Sequence, residues 1–214
     1  MNYQVTTILI FLLLLFNPLF SQEPTPKTSQ NKFSYKGFSG GMFIHSGYSV
    51  GKTFQVKISD NTFRNVAATG GIFGLGGNLG FLFGKHMRFG GEGYVSNTYY
   101  ENGSRFRIGW GGIFAEYMYQ FKKIIPFAGV TIGGGKFTNT YFPEKPSDDL
   151  TTSSVVYKKK GIFIITPFIG TEFILTEKLH LRFRIDYLFA PAAMIKEPDF
   201  STGARFYLGV LFCK

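Results

Sequence analysis

The sequence predicts an all-β fold, in the form of an eight-stranded antiparallel up-and-down transmembrane β-barrel. Eight segments downstream of residue 37 alternate apolar residues with polar or small ones, which is the period of a β-strand. The connections between these segments alternate between short and long, which is typical of a meander barrel that crosses a membrane. The N-terminus carries an apolar run of signal-peptide length, which indicates export.

The composition indicates one sheet-rich domain. The chain has 214 residues, among them 27 Gly, 26 Phe and 12 Tyr, and charged residues make up only 17%. This balance argues against a disordered chain and against a helical bundle. The formal net charge of +10 would favour binding to nucleic acid or to an anionic membrane surface, or would simply aid solubility. Export argues against nucleic acid as a partner.

The first 36 residues are expected to lie outside the barrel. Residues 1–22 are predicted to be a signal peptide, because the apolar run at 8–16 is shorter than the roughly 20 residues that span a bilayer. Residues 23–36 are rich in Pro, Thr, Ser and Lys and are predicted to form a linker, and residues 37–214 form the barrel domain. The single cysteine, Cys213, excludes an internal disulfide framework.

Each predicted strand has one apolar face and one face of small or polar residues. In the stretch GGIFGLGGNLGFLFG, Leu75 and Phe81 share the first face, and Gly76 and Gly80 share the second. Short connections are expected near residues 85, 123 and 177, and longer polar ones near 60, 102, 148 and 196. The second face carries few charges, which suits the narrow lumen of an eight-stranded barrel better than bulk water.

The charges of the second face are predicted to form interior ion pairs. They are four acids and four bases: Arg88, Glu92, Glu116, Glu172, Arg182, Arg184, Asp186 and Arg205. Equal numbers of each sign fit mutual pairing, because an unpaired buried charge is costly. In the stretch HLRFRIDYLF, residues 180–189, Arg182 and Arg184 need acidic partners in the lumen. Glu92, Glu116 and Glu172 are the first candidates. The aromatic residues expected to form interfacial girdles are Tyr99, Tyr100, Trp110, Tyr117 and Tyr119.

The signal peptide, the eight-strand meander, the alternating aromatic faces and the final YLGVLF resemble small bacterial outer-membrane β-barrels of the OmpA/OmpX type, in the porin-like superfamily. The resemblance covers roughly residues 36–214. It implies a Gram-negative-type envelope, interior ion-pair networks and no catalytic residues. It also implies a C-terminal insertion signal that the barrel-assembly machinery reads, for which Gly209 and Phe212 match. The chain then ends in Cys213 and Lys214, where a phenylalanine is typical of the family.

Motifs that would indicate chemistry are weak. The stretch SGYSVGKT lacks the first glycine of a phosphate-binding loop, and a strand pattern follows it instead of a helix. The three histidines have no ligand partners at metal-site spacing. A catalytic set could be assembled from His45, Ser46 and Glu92, but any chain of this size offers such a set. No cofactor, metal or catalytic residue is therefore predicted.

The most direct interpretation is an integral outer-membrane barrel with a structural or surface-interaction role and a lumen mostly filled by side chains. Its expected partners are outer-membrane lipids, lipopolysaccharide, the assembly machinery and external ligands that the loops contact, with no nucleic acid. Basic residues in or beside the loops would meet lipopolysaccharide phosphates or simply aid solubility: Lys57, Arg64, Arg105, Arg107, Lys145 and Lys158 to Lys160. The alternatives are a small gated channel, a secreted soluble barrel that binds a small apolar ligand, and a lipid-modifying barrel enzyme.

Overall fold

The computed structural model describes residues 35–50, 53–59, 62–67, 69–100, 104–141, 156–191, 193, 200 and 202–214. The predicted signal peptide, nearly all of the predicted linker and Lys145 lie outside the described residues. The first strand begins at Tyr35, two residues inside the segment that the sequence assigned to the linker.

Strands dominate the described part of the chain. In chain order they are β1 (Tyr35–Val50), β2 (Thr53–Ser59), β3 (Thr62–Ala67), β4 (Gly70–Phe83), β5 (Met87–Tyr99), β6 (Arg105–Met118), β7 (Ile124–Tyr141), β8 (Val156–Thr176), β9 (Leu179–Tyr187) and β10 (Thr202–Cys213). Eight of them close into an antiparallel barrel, in the order β1-β10-β9-β8-β7-β6-β5-β4. The predicted eight-stranded up-and-down barrel is confirmed. No helix among the described residues is long and apolar enough to cross a membrane.

The connections of the barrel differ in length at its two ends. Tight turns join β4 to β5, β6 to β7 and β8 to β9 at one end, called here the turn end. The other end, called the loop end, carries the longer connections, as the sequence predicted. The connection from β1 to β4 is more ordered than the predicted polar loop, because β2 and β3 pair in it as a separate two-stranded hairpin. Both segments alternate with a strand's period, so they can pair with each other once a turn brings them together.

The number of strands and their stagger together fix the shape of the barrel. Paired residues lead around it from Gly47 through Arg205, Asp186, Phe168, Gly129, Glu116, Arg88 and Leu82, and back to β1 at Gly37. The path returns ten residues from its start, and in a barrel this shear sets the tilt of the strands, typically 35–45°. Four of the eight predicted lumen charges lie on this path, and the register places Arg205 beside Asp186 and Arg88 beside Glu116.

The two faces of the wall are inverted relative to a water-soluble protein. Large apolar side chains project outward from every barrel strand, and among them Met42 and Ile113 are 75% and 76% exposed. The eight charged side chains assigned to the lumen face point into the barrel and are buried. The remaining lumen is filled by two apolar clusters. The loop-end cluster includes Phe106, Phe137, Ile164, Leu188 and Phe200, and the turn-end cluster consists of Phe114, Met118, Ile125, Phe127 and Phe168.

The girdle prediction is wrong for two of its five residues. Trp110 is only 4% exposed and belongs to the interior cluster at the loop end, as does Tyr100. Trp110 is six residues before Glu116, an even spacing, so a regular strand puts both side chains on the lumen face. Tyr99, Tyr117 and Tyr119 are exposed on the outer surface.

Glycines on the lumen face make room for rings that lean over from neighbouring strands. A Cβ atom added at Gly209 would lie 2.1 Å from Cδ1 of Phe43, and one at Gly76 would lie 2.2 Å from Cδ1 of Tyr94. Gly170 is covered in the same way by the ring of Phe127. The glycine-rich face recognised in the sequence therefore supplies the space that the interior aromatic rings occupy.

Replacing Gly209 with alanine is expected to destabilise the barrel, because the new methyl group overlaps the Phe43 ring and the Met42 carbonyl oxygen. The free energy of unfolding should fall by about 1–3 kcal/mol, the usual cost of overpacking. Gly91→Ala is the matched control, since the nearest atom to its Cβ would be the Gly112 oxygen at 3.8 Å. Urea titration of the two variants measures the difference, and equal midpoints would contradict the packing argument.

Candidate functional site

The candidate site is the charged interior of the barrel. All eight residues assigned to the lumen face have buried side chains, at most 7% exposed. They come from β5, β6, β8, β9 and β10: Arg88, Glu92, Glu116, Glu172, Arg182, Arg184, Asp186 and Arg205. The alternation of each strand aims them inward, and the closed register then divides them into two clusters that each carry two positive and two negative charges.

The ion-pair cluster nearest the turn end, called here the turn-end ring, is formed by four side chains. Arg88 Nη1 donates to Glu172 Oε1 at 2.7 Å and lies 2.9 Å from Glu116 Oε1. Arg182 Nη2 donates to Glu116 Oε2 at 2.5 Å, and its Nη1 donates to Glu172 Oε1 at 2.9 Å. Each arginine therefore contacts both glutamates. His180 Nδ1 lies 3.3 Å from Glu172 Oε2 at the edge of the ring.

The central cluster is a chain rather than a ring. Arg184 holds Glu92 with two hydrogen bonds, at 2.5 and 2.9 Å, and also donates to Asp186 Oδ2 at 3.1 Å. Arg205 Nε donates to Asp186 Oδ1 at 2.8 Å. Thr131 Oγ1 donates a further hydrogen bond to Glu92. Paired charges with several hydrogen bonds each offset the cost of leaving water, which a lone buried ion would not.

Aromatic rings complete the surroundings of the arginines. Arg182 Cζ lies 3.8 Å from the centroid of the Phe127 ring, and Arg184 Cζ lies 3.9 Å from that of Phe168. Arg205 Cζ lies 5.1 Å from the ring of Trp110. A planar guanidinium can stack on a ring while its edge binds carboxylates, which an ammonium group cannot do. The interior position of Trp110 thus has a role in the charge network.

His45 forms a polar contact that the sequence did not indicate. Its Nε2 lies 2.7 Å from Ser96 Oγ, and its ring stacks near Tyr207, with centroids 4.7 Å apart. The catalytic set considered from the sequence is not assembled, because Ser46 lies on the outward face while His45 points inward. Among the described residues, no group of three or more histidine, cysteine or carboxylate side chains is arranged to hold a metal ion.

Apolar side chains close the lumen on the loop side of these clusters. The rings of Phe106, Phe137 and Phe200 meet with centroids 5.4 to 5.8 Å apart. Between this layer and Arg205 lies a cavity of about 20 Å³ that Ser96 also lines. That volume has room for a water molecule. The described interior is therefore filled by side chains rather than open as a wide channel.

The C-terminal strand closes the barrel. Gly209 faces the lumen beneath Phe43, and Phe212 projects outward. Lys214 exchanges two backbone hydrogen bonds with Phe38, at 2.9 and 3.0 Å. The Cys213 sulfur lies 3.6 Å from His180 Nδ1, at the turn end.

The fold and the filled, charge-balanced lumen define a class of protein: the chain has the fold of the small outer-membrane β-barrels of the OmpA/OmpX type, as the sequence predicted. Neisserial surface protein A has a TM-score of 0.53 and 11% identity, with 84% of this chain and 98% of that chain covered. Ail, the attachment invasion locus protein of Yersinia pestis, has a TM-score of 0.50 and 10% identity, with 84% and 99% covered. At these identities the likeness concerns the fold. No protein-family model and no curated protein sequence matches the chain significantly.

Removing a charge-balanced pair from the turn-end ring should cost less than the two single changes added together. Arg182→Met leaves Glu116 and Glu172 sharing Arg88, and Glu116→Gln leaves two arginines sharing Glu172. Each single variant should lose about 3 kcal/mol of unfolding free energy, the usual cost of orphaning a buried charge. The double variant keeps the two hydrogen bonds of Arg88 with Glu172 and should lose clearly less than the sum.

The measurement is a double-mutant cycle of urea unfolding. Glu177→Gln, at an exposed turn, is the control and should change the unfolding free energy by less than about 0.5 kcal/mol. Strict additivity of the two single variants would show that the ring does not act as a coupled unit.

Proposed function

We propose that the protein is an integral β-barrel of the bacterial outer membrane, whose role is structural or to present an interaction surface at its loop end. The observation that carries this proposal is the inversion of the wall, with apolar side chains outside on every barrel strand and eight paired charges buried inside. A soluble monomer rarely exposes an apolar patch of more than a few hundred Å². A belt around the whole barrel needs lipid as its solvent.

The dimensions of the barrel support the same proposal. Its strands have between 9 and 21 residues, and a tilted transmembrane β-strand needs about 9–11. Closure of the sheet leaves no open edge inside the hydrocarbon, where an unpaired backbone group is very unfavourable. Tyr99 at the loop end and Tyr117 and Tyr119 at the turn end lie where headgroups would meet the wall.

The proposed partners follow from these surfaces. Outer-membrane lipids would cover the apolar belt, and lipopolysaccharide phosphates would meet the basic strand ends near Arg105, Arg107 and Lys159. The C-terminal strand, with Gly209 and Phe212, would be read by the barrel-assembly machinery. The loops would contact external ligands.

The described interior argues against two of the alternatives. A soluble barrel that binds an apolar ligand needs an apolar cavity, whereas this lumen holds two ion-pair clusters and a void of about 20 Å³. A gated channel needs a route past the loop-end rings, and these pack directly against each other. The absence of an enzymatic activity stays a prediction, supported by the separation of Ser46 from His45.

Membrane residence can be tested by fractionation and gel mobility. The mature protein is expected in the outer-membrane fraction, and in SDS it should migrate differently before and after boiling, because the closed barrel resists the detergent. A chain that fractionates with soluble periplasmic proteins and shows no mobility shift would contradict the proposal.

The filled lumen predicts low conductance. Purified protein inserted in planar bilayers should show no large steady current, because ion pairs and aromatic rings occupy the interior. Phe137→Ala, which thins the loop-end layer, should raise the current only slightly as long as the charge clusters stay in place. A large steady conductance of the wild-type protein would favour the channel interpretation instead.

A further inference from the structure

Positive charge gathers on the outer wall at the loop end, where β6, β7 and β8 run side by side. Arg107, Thr138 and Lys159 lie directly opposite one another across the three strands. Lys136 lies two residues further along β7, between Gly109 of β6 and Gly161 of β8. The alternation of each strand points these four side chains outward, and the three cationic ones are exposed.

The register places Arg107, Lys136 and Lys159, called here the basic triad, around the hydroxyl of Thr138. Lys136 is a diagonal neighbour of both Arg107 and Lys159, a separation of roughly 7–8 Å between backbones. The Thr138 hydroxyl lies between Arg107 and Lys159. Long flexible side chains at this spacing can converge on one anion, with the guanidinium binding two oxygens and the ammonium groups acting as point charges.

No carboxylate in the described part of the chain neutralises the triad. Glu92, Glu116, Glu172 and Asp186 are all buried in the lumen, and Glu177 is in a turn at the opposite end. The nearby Arg105 is engaged with the wall, because its Nε and Nη2 donate to Asn97 Oδ1 at 3.1 and 2.5 Å. Among the described residues, the triad therefore leaves uncompensated positive charge on the outer surface.

Directly beside the triad, toward the turn end, the wall has almost no side chains. Gly109 and Gly111 of β6 and Gly134 of β7 face outward and line a shallow open groove that Lys136 borders. The next residues in the same direction are the exposed Ile113 and Ile132. A polar cluster, a smooth groove and an apolar surface thus follow one another along the wall.

We propose that this face binds one phosphate-bearing lipid of the surrounding membrane, with its phosphate at the basic triad and an acyl chain in the glycine-lined groove. The order of the three surfaces matches the order of phosphate and hydrocarbon in such a lipid, and charge complementarity favours an anionic headgroup. This inference rests on the proposed function, because the groove is open to acyl chains only when the barrel lies in a bilayer.

The single tryptophan supplies a probe, because the backbone of Trp110 forms part of the groove wall and its ring lies directly behind that wall, on the lumen side. The refolded protein is placed in phosphatidylcholine vesicles that contain either dibrominated phosphatidic acid or the same fraction of dibrominated phosphatidylcholine. Bromine on an acyl chain quenches tryptophan fluorescence at short range. The site should bind phosphatidic acid at least about fivefold more tightly than phosphatidylcholine. That is the gain in affinity for an anionic lipid that a single surface cation provides.

Two variants with matched controls locate the site. Replacing Arg107, Lys136 and Lys159 with glutamine should abolish the preference, whereas the same replacement of Lys122, Lys123 and Lys178, exposed at the turn end, should keep it. Gly109→Leu fills the groove without a backbone clash and should reduce quenching by both lipids. Gly91→Leu, on the same outer wall beyond the groove, should not.

The gel mobility of the protein from the same vesicles, measured before and after boiling, separates this inference from the proposed function. Equal quenching by the two lipids in a correctly inserted wild-type barrel overturns the lipid site and leaves the membrane barrel intact. A preference that survives loss of the triad also overturns it. Weak quenching that rises as the protein is diluted in the bilayer means that a second copy covers the groove. A chain that does not insert overturns both proposals.

Discussion

The neutralisation of charge inside a narrow barrel is the constraint on which the rest of this structure depends. Eight ionised side chains share an interior that has no bulk water to solvate them. Each of the two clusters has zero net charge, and each arginine contacts at least one carboxylate. Guanidinium groups allow this density of charge, because one edge can bind two carboxylates while the plane stacks on a ring. The barrel order and the stagger of its strands are what bring these partners into contact.

Glycine has a complementary structural role on the two faces of the wall. On the lumen face, positions such as Gly76, Gly170 and Gly209 leave space for rings from adjacent strands, so that aromatic side chains can fill the interior without clashes. On the outer face, Gly109 and Gly134 leave an open groove instead. The same residue type therefore tightens packing inside and removes side chains outside, and only the direction in which the missing Cβ would point decides which effect results.

The two ends of the barrel are chemically different. The turn end has short connections and an ionic ring just inside it, whereas the loop end has longer connections, an apolar layer inside and the basic triad on its outer wall. In the proposed membrane setting, the turn end would face the periplasm and the loop end the exterior. Anionic headgroups of the outer leaflet would then meet the basic triad, and the apolar layer would limit passage through the lumen.

The sequence by itself determined which face of each strand is which, because alternation is a local property of extended backbone that no distant residue alters. It therefore predicted the strand number, the outward apolar face and the inward direction of all eight charges. The tertiary structure decided the partners. Arg182 meets Glu116 across 66 residues of sequence and Arg184 meets Glu92 across 92, because the order and stagger of the closed sheet select these pairs. The inward position of Trp110 was readable from its even spacing to Glu116, but its contact with Arg205 depends on barrel closure. The basic triad beside Thr138 likewise exists only through the register of three strands.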